Sequence, residues 1–265
     1  MTIPAPRPGS AAFVTGASSG IGEALARDLA ARGHDVILVA RRRERLEKLA
    51  AELTGKHGVR AEVLTSDLAD ADDRSRMLRE LEGLGLELDV VVLCAGFGMV
   101  GPFLEHDADR VTTLLRTNVE STVALARALT PAMVARSRGA VLFVSSMAGN
   151  QPMPNFAPYS ASKAAVTSLG ESLHCELKPH GVTVTVLAPS VVDTEWSGVA
   201  EATHQEAKQP KFMTATAAQC SKSGLRALER GKRIVVPLPQ ARAFAWVTQH
   251  LPRTIWLPAC RKMLA

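Results

Sequence analysis

"FVTGASSGIGEALA", residues 13–26, changes period within one short span. The run AAFVTG (11–16) is apolar and β-prone, whereas IGEALARDLAARG, which begins at Ile21, places its apolar residues at helical spacing and stops on a glycine. Gly16, Gly20 and Gly22 stand at the junction. Glycines there let the backbone turn sharply and approach a pyrophosphate closely, and the helix start offers free N–H groups and the positive end of a dipole. The spacing is G-x-x-x-G-x-G, not the G-x-G-x-x-G of the usual dinucleotide fingerprint. An ordinary glycine-rich loop is the alternative. The strand–turn–helix order favours nucleotide binding through Gly16, Ser18, Ser19, Gly20, Ile21 and Gly22.

Outward from this turn the same alternation repeats. Further apolar runs are DVILVA (35–40), RAEVLTSD (60–67), LDVVVLCAG (88–96), GAVLFVSS (139–146), VTVTVLAP (182–189) and RIVVP (233–237). Continuous Val/Ile/Leu runs mean strands buried on both faces, as in a parallel sheet. With helical patterns between them they predict an α/β fold, a Rossmann-like doubly wound parallel sheet of about seven strands flanked by helices on both faces. No linker, repeat or low-complexity segment divides residues 1–265, so one dinucleotide-binding and catalytic domain is expected.

Composition narrows the class. Hydrophobic residues make up 46% and charged residues 22% of the 265 positions, the balance of a globular protein. The net charge of +5 is mild, and no basic stripe interleaves with aromatics, so nucleic acid is not an expected partner. Cys94, Cys175, Cys220 and Cys260 form no C-x-x-C pair, so no metal site is expected and a reducing, cytoplasmic setting is. The start, MTIPAPRPGS, lacks an apolar core segment, so no secretory signal is expected. No run of about 18 apolar residues suggests a spanning helix.

The second run ends in Ala40-Arg41-Arg42-Arg43, without a carboxylate at the tip. An acidic side chain there would take the ribose hydroxyls of NAD, whereas planar guanidinium groups suit a 2′-phosphate. Arg41 and Arg42 therefore favour NADP (NADPH) over NAD. The alternative is a solvated basic helix start paired with Glu44 and Glu47.

The segment YSASKAAVTSLGESL (159–173) opens on the chain's one tyrosine, with Lys163 four residues on and so on the same helix face. A free phenol has a pKa of about 10. A nearby ammonium is expected to lower it and make the pair a general acid/base. Ser146, at the end of GAVLFVSS, falls at the carboxyl edge of the sheet, where it could bond a carbonyl oxygen. Asn118, in RTNVEST, is either a satisfied buried amide or the holder of a proton-relaying water.

Together these residues resemble the short-chain dehydrogenase/reductase family, over about residues 10–195. The resemblance rests on TGASSGIG, Asp67 after the third strand, AGFG, TNV, VSSMAG, YSASK and APSVVDT, in that order. It implies a catalytic tetrad of Asn118, Ser146, Tyr159 and Lys163, with Tyr159 as acid/base and Lys163 on the nicotinamide ribose. It places Asp67 and Leu68 by the adenine and Thr194 by the carboxamide, and adds Ala95, Gly96, Pro189 and Val192 to the cofactor's surroundings. It implies NADPH-dependent reduction of a ketone or aldehyde, reversible in principle, by a homodimer or homotetramer. A non-catalytic NADP-sensing regulator on the same fold is the rival. Cys94 stands where the family commonly has asparagine, and Ser190 where it has glycine. A local repacking is expected at Cys94, and a differently shaped turn at Ser190.

Past Thr194 the resemblance fades. EWSGVAEATHQEAKQPKFMTA (195–215) is expected to be a substrate lid with Trp196, Phe212 and Met213 as apolar contacts. The tail, about 240–265, mixes Trp246 and Trp256 with Arg242, Arg253, Arg261 and Lys262. Peripheral membrane contact is one reading of it. Because Pro252 and Pro258 break a long helix, a cover for the substrate pocket or a subunit interface is preferred. The tail's likeness to relatives that act on 3-oxoacyl lipids or hydroxysteroids hints at a bulky apolar substrate.

Overall fold

In a computed structural model the described residues are 3–193 and 213–264. Seven strands form one parallel sheet: β1 (Ser10–Thr15), β2 (Asp35–Ala40), β3 (Ala61–Thr65), β4 (Glu87–Leu93), β5 (Gly139–Val144), β6 (Val182–Leu187) and, by sequence last, Ile234–Val235. Between β6 and that last strand, β7 (Val191–Asp193) and β8 (Thr214–Thr216) pair as a separate two-stranded parallel ribbon. Ile234–Val235 is thus β9, and the large sheet runs β3-β2-β1-β4-β5-β6-β9. Every apolar run singled out in the sequence supplies one of these seven strands.

The helices are α1 (Gly20–Ala30), α2 (Arg43–His57), α3 (Ala71–Gly83), α4 (Ala108–Leu115), α5 (Ser121–Ala135), α6 (Ala157–Leu177), α7 (Ala217–Glu229), α8 (Pro239–His250) and α9 (Arg253–Leu264). Successive strand side chains point to opposite faces. On one face Val14, Leu38, Val92 and Leu142 pack with Leu25, Leu46 and Leu225 of α1, α2 and α7. On the other Phe13, Ile37, Val91 and Phe143 pack with Met77, Leu125 and Val166 of α3, α5 and α6. Covering both faces explains why all six residues of β1, β5 and β6 are buried.

Strand order reverses between β1 and β4, which opens a crevice at the carboxyl ends of the strands. Two irregularities serve that end. Arg116–Glu120, between α4 and α5, winds as a wide π-turn that carries Asn118. Met147–Gly149 forms a 3₁₀ turn packed on α6, where a Cβ on Gly149 would lie 2.5 Å from the Lys163 carbonyl oxygen.

The opposite end is closed by charge. Asp89 of β4, fully buried, accepts from Arg7 Nε (3.2 Å) and from both Nε and a terminal amine of Arg138 (3.1 Å each). Arg138 also donates to the Ala5 carbonyl (2.9 Å), which pins the leading segment under the sheet. Burial opposes ionisation of Asp89, but the arginine hydrogen bonds together hold its carboxyl below its ordinary value. Beside this cluster His34 is 2% exposed, and burial holds its imidazole below the ordinary value.

Candidate active site

The turn of residues 15–22 has the shape its glycines suggested. Gly16 and Gly20 adopt φ of +70° and +58°, where a side chain would be strained. Gly22 is needed for a different reason: a Cβ there would sit 2.3 Å from the Gly16 carbonyl oxygen, a backbone atom that cannot move aside. Gly22→Ala is therefore expected to open the turn and raise the Kd for nicotinamide dinucleotide at least tenfold by isothermal titration calorimetry, with helical circular dichroism unchanged.

The turn borders a cavity of about 310 Å³ at the crevice. Gly16, Ser18, Ser19, Gly20, Ile21, Gly22, Arg41, Arg42, Asp67, Leu68, Ala95, Gly96, Tyr159 and Lys163, all expected from sequence, line it. Ala40, Ser66, Cys94, Phe97, Thr117, Val144 and Ser145 line it too and had not been singled out as cofactor contacts. Asn118, Ser146, Pro189 and Val192 do not border the cavity itself, and Thr194 lies outside the described residues. A second cavity of about 310 Å³, bordered by His174, Lys178 and Arg230, lies at the opposite end of β6, away from these groups.

Arg42 is already built into the cradle. Its guanidinium donates to Ser18 Oγ (3.0 and 3.2 Å), the Ser18 carbonyl (3.3 Å) and Ser19 Oγ (2.8 Å). On the far side, Arg74 donates to the Leu68 carbonyl (2.6 Å), and the Asp67 backbone N–H donates to Asp73 (2.6 Å), whose carboxyl is thereby held below its ordinary value.

Tyr159 and Lys163 lie on the first turns of α6, both buried, with Lys163 Nζ 5.9 Å from the phenol ring centre. Lys163 Nζ donates to the Val144 carbonyl at the end of β5 (3.0 Å). Ser145 Oγ donates back to the Lys163 carbonyl (2.9 Å) and shares a hydrogen bond with Thr167 (2.6 Å). Ser146 lies two residues beyond β5, which ends at Val144 and not at the serine; it caps the 3₁₀ turn by accepting from Ala148 N–H (3.2 Å) and is hydrogen-bonded to Tyr159. Asn118, 1% exposed, accepts from Phe97 N–H (3.0 Å) and donates to the Phe97 carbonyl (2.9 Å) and Ser162 Oγ (3.0 Å). Both of its amide hydrogens are committed, so it acts as a clamp on the segment after β4. Gly96 makes room for it: a Cβ there would lie 2.8 Å from Asn118 Oδ1 and 3.3 Å from Lys163 Nζ.

A model of the short chain dehydrogenase family matches residues 10–205, which span all of these elements from β1 past β7. The chain belongs to the short-chain dehydrogenase family. It is 34% identical over 221 residues to the very-long-chain 3-oxoacyl-CoA reductase of Pyrenophora tritici-repentis, covering 82% of this chain and 64% of that one. It is 37% identical over 198 residues to the reductase of the same name from Anas platyrhynchos, covering 73% and 63%. The chain thus spans slightly less than two thirds of these curated relatives. Among solved structures, a short-chain dehydrogenase from Sphingobium yanoikuyae in complex with NADPH superposes with a TM-score of 0.81 at 30% identity, over 90% of this chain and 92% of that one.

Against this short-chain dehydrogenase frame, the two departures resolve locally. Thr15 Oγ1 accepts from the backbone N–H groups of Cys94 (2.9 Å) and Ala95 (3.1 Å) and donates to the Val92 carbonyl (3.3 Å), so β1 braces the strand end with Cys94 in place. Burial pushes the Cys94 thiol up to about 11. Ser190 takes no positive φ, and its hydroxyl donates to the Met213 carbonyl (2.7 Å), tying the turn after β6 to the approach to β8.

One electrostatic expectation is corrected. With protein groups alone, burial pushes the Tyr159 phenol up to about 12, which outweighs the lowering from its bond to Ser146. Burial likewise pushes the Lys163 ammonium down to about 8. Among protein groups alone, burial therefore sets both directions, upward for the phenol and downward for the ammonium.

The lid expected at 195–215 falls outside the described residues through 212, Trp196 and Phe212 included. Its last part differs from the expectation, since Thr214–Thr216 forms β8 and Met213 packs against a small core of Met147, Ala188, Val236, Ala241 and Ala245. The tail closes over the same region. Trp256 is 5% exposed, its indole N–H donates to the Pro152 carbonyl (2.9 Å), and its ring meets Phe244 edge-on at 6.1 Å.

Proposed function

We propose that this short-chain dehydrogenase is an NADPH-dependent reductase of ketones or aldehydes carrying a bulky apolar group, such as a 3-oxoacyl lipid or a steroid, working reversibly as a cytoplasmic homodimer or homotetramer. The observation that carries the reading is the pair Tyr159 and Lys163 in the wall of a glycine-lined cradle that already contains Arg42, with Ser146 hydrogen-bonded to Tyr159. A nicotinamide dinucleotide fits that cradle, because Gly16, Gly20 and Gly22 leave a backbone surface that any Cβ would fill or strain. Ser18, Ser19, Arg41 and Arg42 would hold its 2′-phosphate side, Asp67 and Leu68 its adenine, and Ala95, Gly96, Pro189, Val192 and Thr194 its nicotinamide end.

When bound, the cofactor supplies hydride to the carbonyl carbon. Tyr159 gives its hydroxyl proton to the carbonyl oxygen as charge builds there, and Ser146 Oγ holds that oxygen. Lys163, fixed by Val144, keeps a donor beside the phenol and the ribose. Asn118 holds the Phe97 segment in register with α6 through Ser162. The apolar cluster in which Met99, Val100 and Phe156 pack with Tyr159, with Phe97 at the cavity wall, supports a bulky apolar substrate, as do the names of the curated reductases that the chain resembles.

The test is a screen of 3-oxoacyl thioesters, ketosteroids and small aldehydes with each reduced cofactor. The expected kcat/KM favours NADPH over NADH at least tenfold. Arg42→Ala removes a charge-assisted contact of about 1.5–3 kcal/mol and so raises KM for NADPH about 10- to 100-fold, with little change for NADH. Equal kcat/KM for the two cofactors would refute the NADP assignment, and no turnover of any carbonyl would refute the reductase.

A further inference from the structure

No helix among the described residues is long and apolar enough to cross a membrane, yet the end of the chain is chemically unlike the rest. Seven of the 31 basic residues fall in 230–265 and none of the 26 acidic ones does, which leaves the first 229 residues with 24 basic against 26 acidic. The positive net charge of the protein is thus carried by its last stretch.

That stretch also exposes its apolar side chains. In α8 the buried positions are Ala241, Ala245 and Thr248, and the opposite side carries Trp246, 63% exposed, and Val247, 48% exposed. Among the described side chains of α9, Trp256 and Cys260 turn inward, whereas Ile255, 56% exposed, and Leu257 lie outside with Arg253, Arg261 and Lys262. Trp246 meets the His250 ring at a tilt of 34°, with ring centres 4.6 Å apart. The sequence reading preferred a cover for the pocket over a membrane segment because prolines interrupt the tail. The structure breaks the tail at Pro252, as expected, but keeps Pro258 inside the second of two short helices, and two short helices can each lie along a surface. The inward side covers the Pro152 loop, and the outward side has no such role.

We propose that the outer face of α8 and α9 docks on an anionic lipid bilayer, with Trp246, Ile255 and Leu257 in the headgroup boundary and the surrounding arginines and lysine on acidic headgroups. Charge decides against a second copy of the same face. A two-fold interface sets a patch against itself, and here it would oppose basic residues to basic residues with no carboxylate between them.

The experiment is flotation of the full chain with vesicles of phosphatidylcholine alone and of phosphatidylcholine with phosphatidylserine, at low and high salt. Partitioning is expected to be about tenfold stronger on the serine-lipid vesicles and to weaken with salt. Combined Arg253→Gln, Arg261→Gln and Lys262→Gln is expected to erase that difference. Brominated acyl chains should quench tryptophan emission in the parent protein and much less in Trp246→Phe, a variant on an exposed position that should keep the parent melting temperature. The proposal is overturned by partitioning that ignores lipid charge, by quenching that survives Trp246→Phe, or by light scattering that shows Trp246→Ser splitting an oligomer, which would assign the face to a subunit contact.

Discussion

Tyr159→Phe is expected to lower kcat for carbonyl reduction by about 10³-fold while cofactor Kd, measured by fluorescence titration, changes less than threefold. The substitution removes only the hydroxyl, so the ring that packs with Met99, Val100 and Phe156 stays in place. The proton donor alone is lost. The two perturbed groups give this prediction a pH signature. A phenol raised to about 12 keeps its proton throughout the working range and is always ready to act as an acid. A lysine lowered to about 8 loses its charge well before that. Reduction should therefore be flat below about 8 and change as Lys163 deprotonates, whereas the reverse oxidation, which needs the phenolate, should rise with pH over the same interval. A positively charged oxidised nicotinamide beside the phenol would shift the oxidative limb downward. Survival of near-normal turnover in the phenylalanine variant would remove Tyr159 from the chemistry and the proposed mechanism with it.

The second large effect lies at the other end of the sheet. Asp89→Ala leaves Arg138 without its carboxylate and Arg7 with Glu87 alone, and because both guanidinium groups are partly exposed the loss is expected at about 1.5–3 kcal/mol. For a chain of this size that corresponds to a fall in melting temperature of about 5 °C, readable by calorimetry. The same region should make the fold acid-sensitive. Asp89 has a folded pKa below its unfolded one, so its contribution is complete above the unfolded value and is lost as pH falls through the folded one. His34 is held neutral by burial, so on acidification the unfolded chain takes up the proton first and stability declines from about pH 6.5 downward. Both signs point the same way. His34→Gln should flatten the part of that decline that begins near pH 6.5 and leave the Asp89 part intact.

How much of this could be read in advance follows from distance along the chain. The seven strands were legible because burial on both faces forces runs such as DVILVA and GAVLFVSS, a local signal. The glycine turn and the Tyr159/Lys163 pair were legible because each lies within eight residues. Asn118 reaching Ser162, Thr15 reaching Cys94 and Trp256 reaching Pro152 join residues 44, 79 and 104 positions apart, and no periodicity encodes them. The misjudged phenol has the same origin. The sequence placed a cation one turn away, but the desolvation that raises the phenol depends on β5 and the segment after β4 closing over both groups. Ser146 was put at a strand end for want of any mark separating the strand from the capped turn that follows. Thr214–Thr216 was folded into the lid because a three-residue strand leaves almost no pattern.

The wide turn at Arg116–Glu120 has a consequence for how this segment can vary. A π-turn holds one residue more than α-helical winding would, and each residue advances a helix by about 100°. The wide turn absorbs that residue locally, so α5 keeps its Leu125 and Leu129 face on the sheet while Asn118 stays turned toward Phe97 and Ser162. Removal of one residue from the turn would return the segment to uniform winding with α5 still in register, whereas a change at Asn118 would release the clamp itself. The segment is therefore more exacting in what it carries at position 118 than in its length.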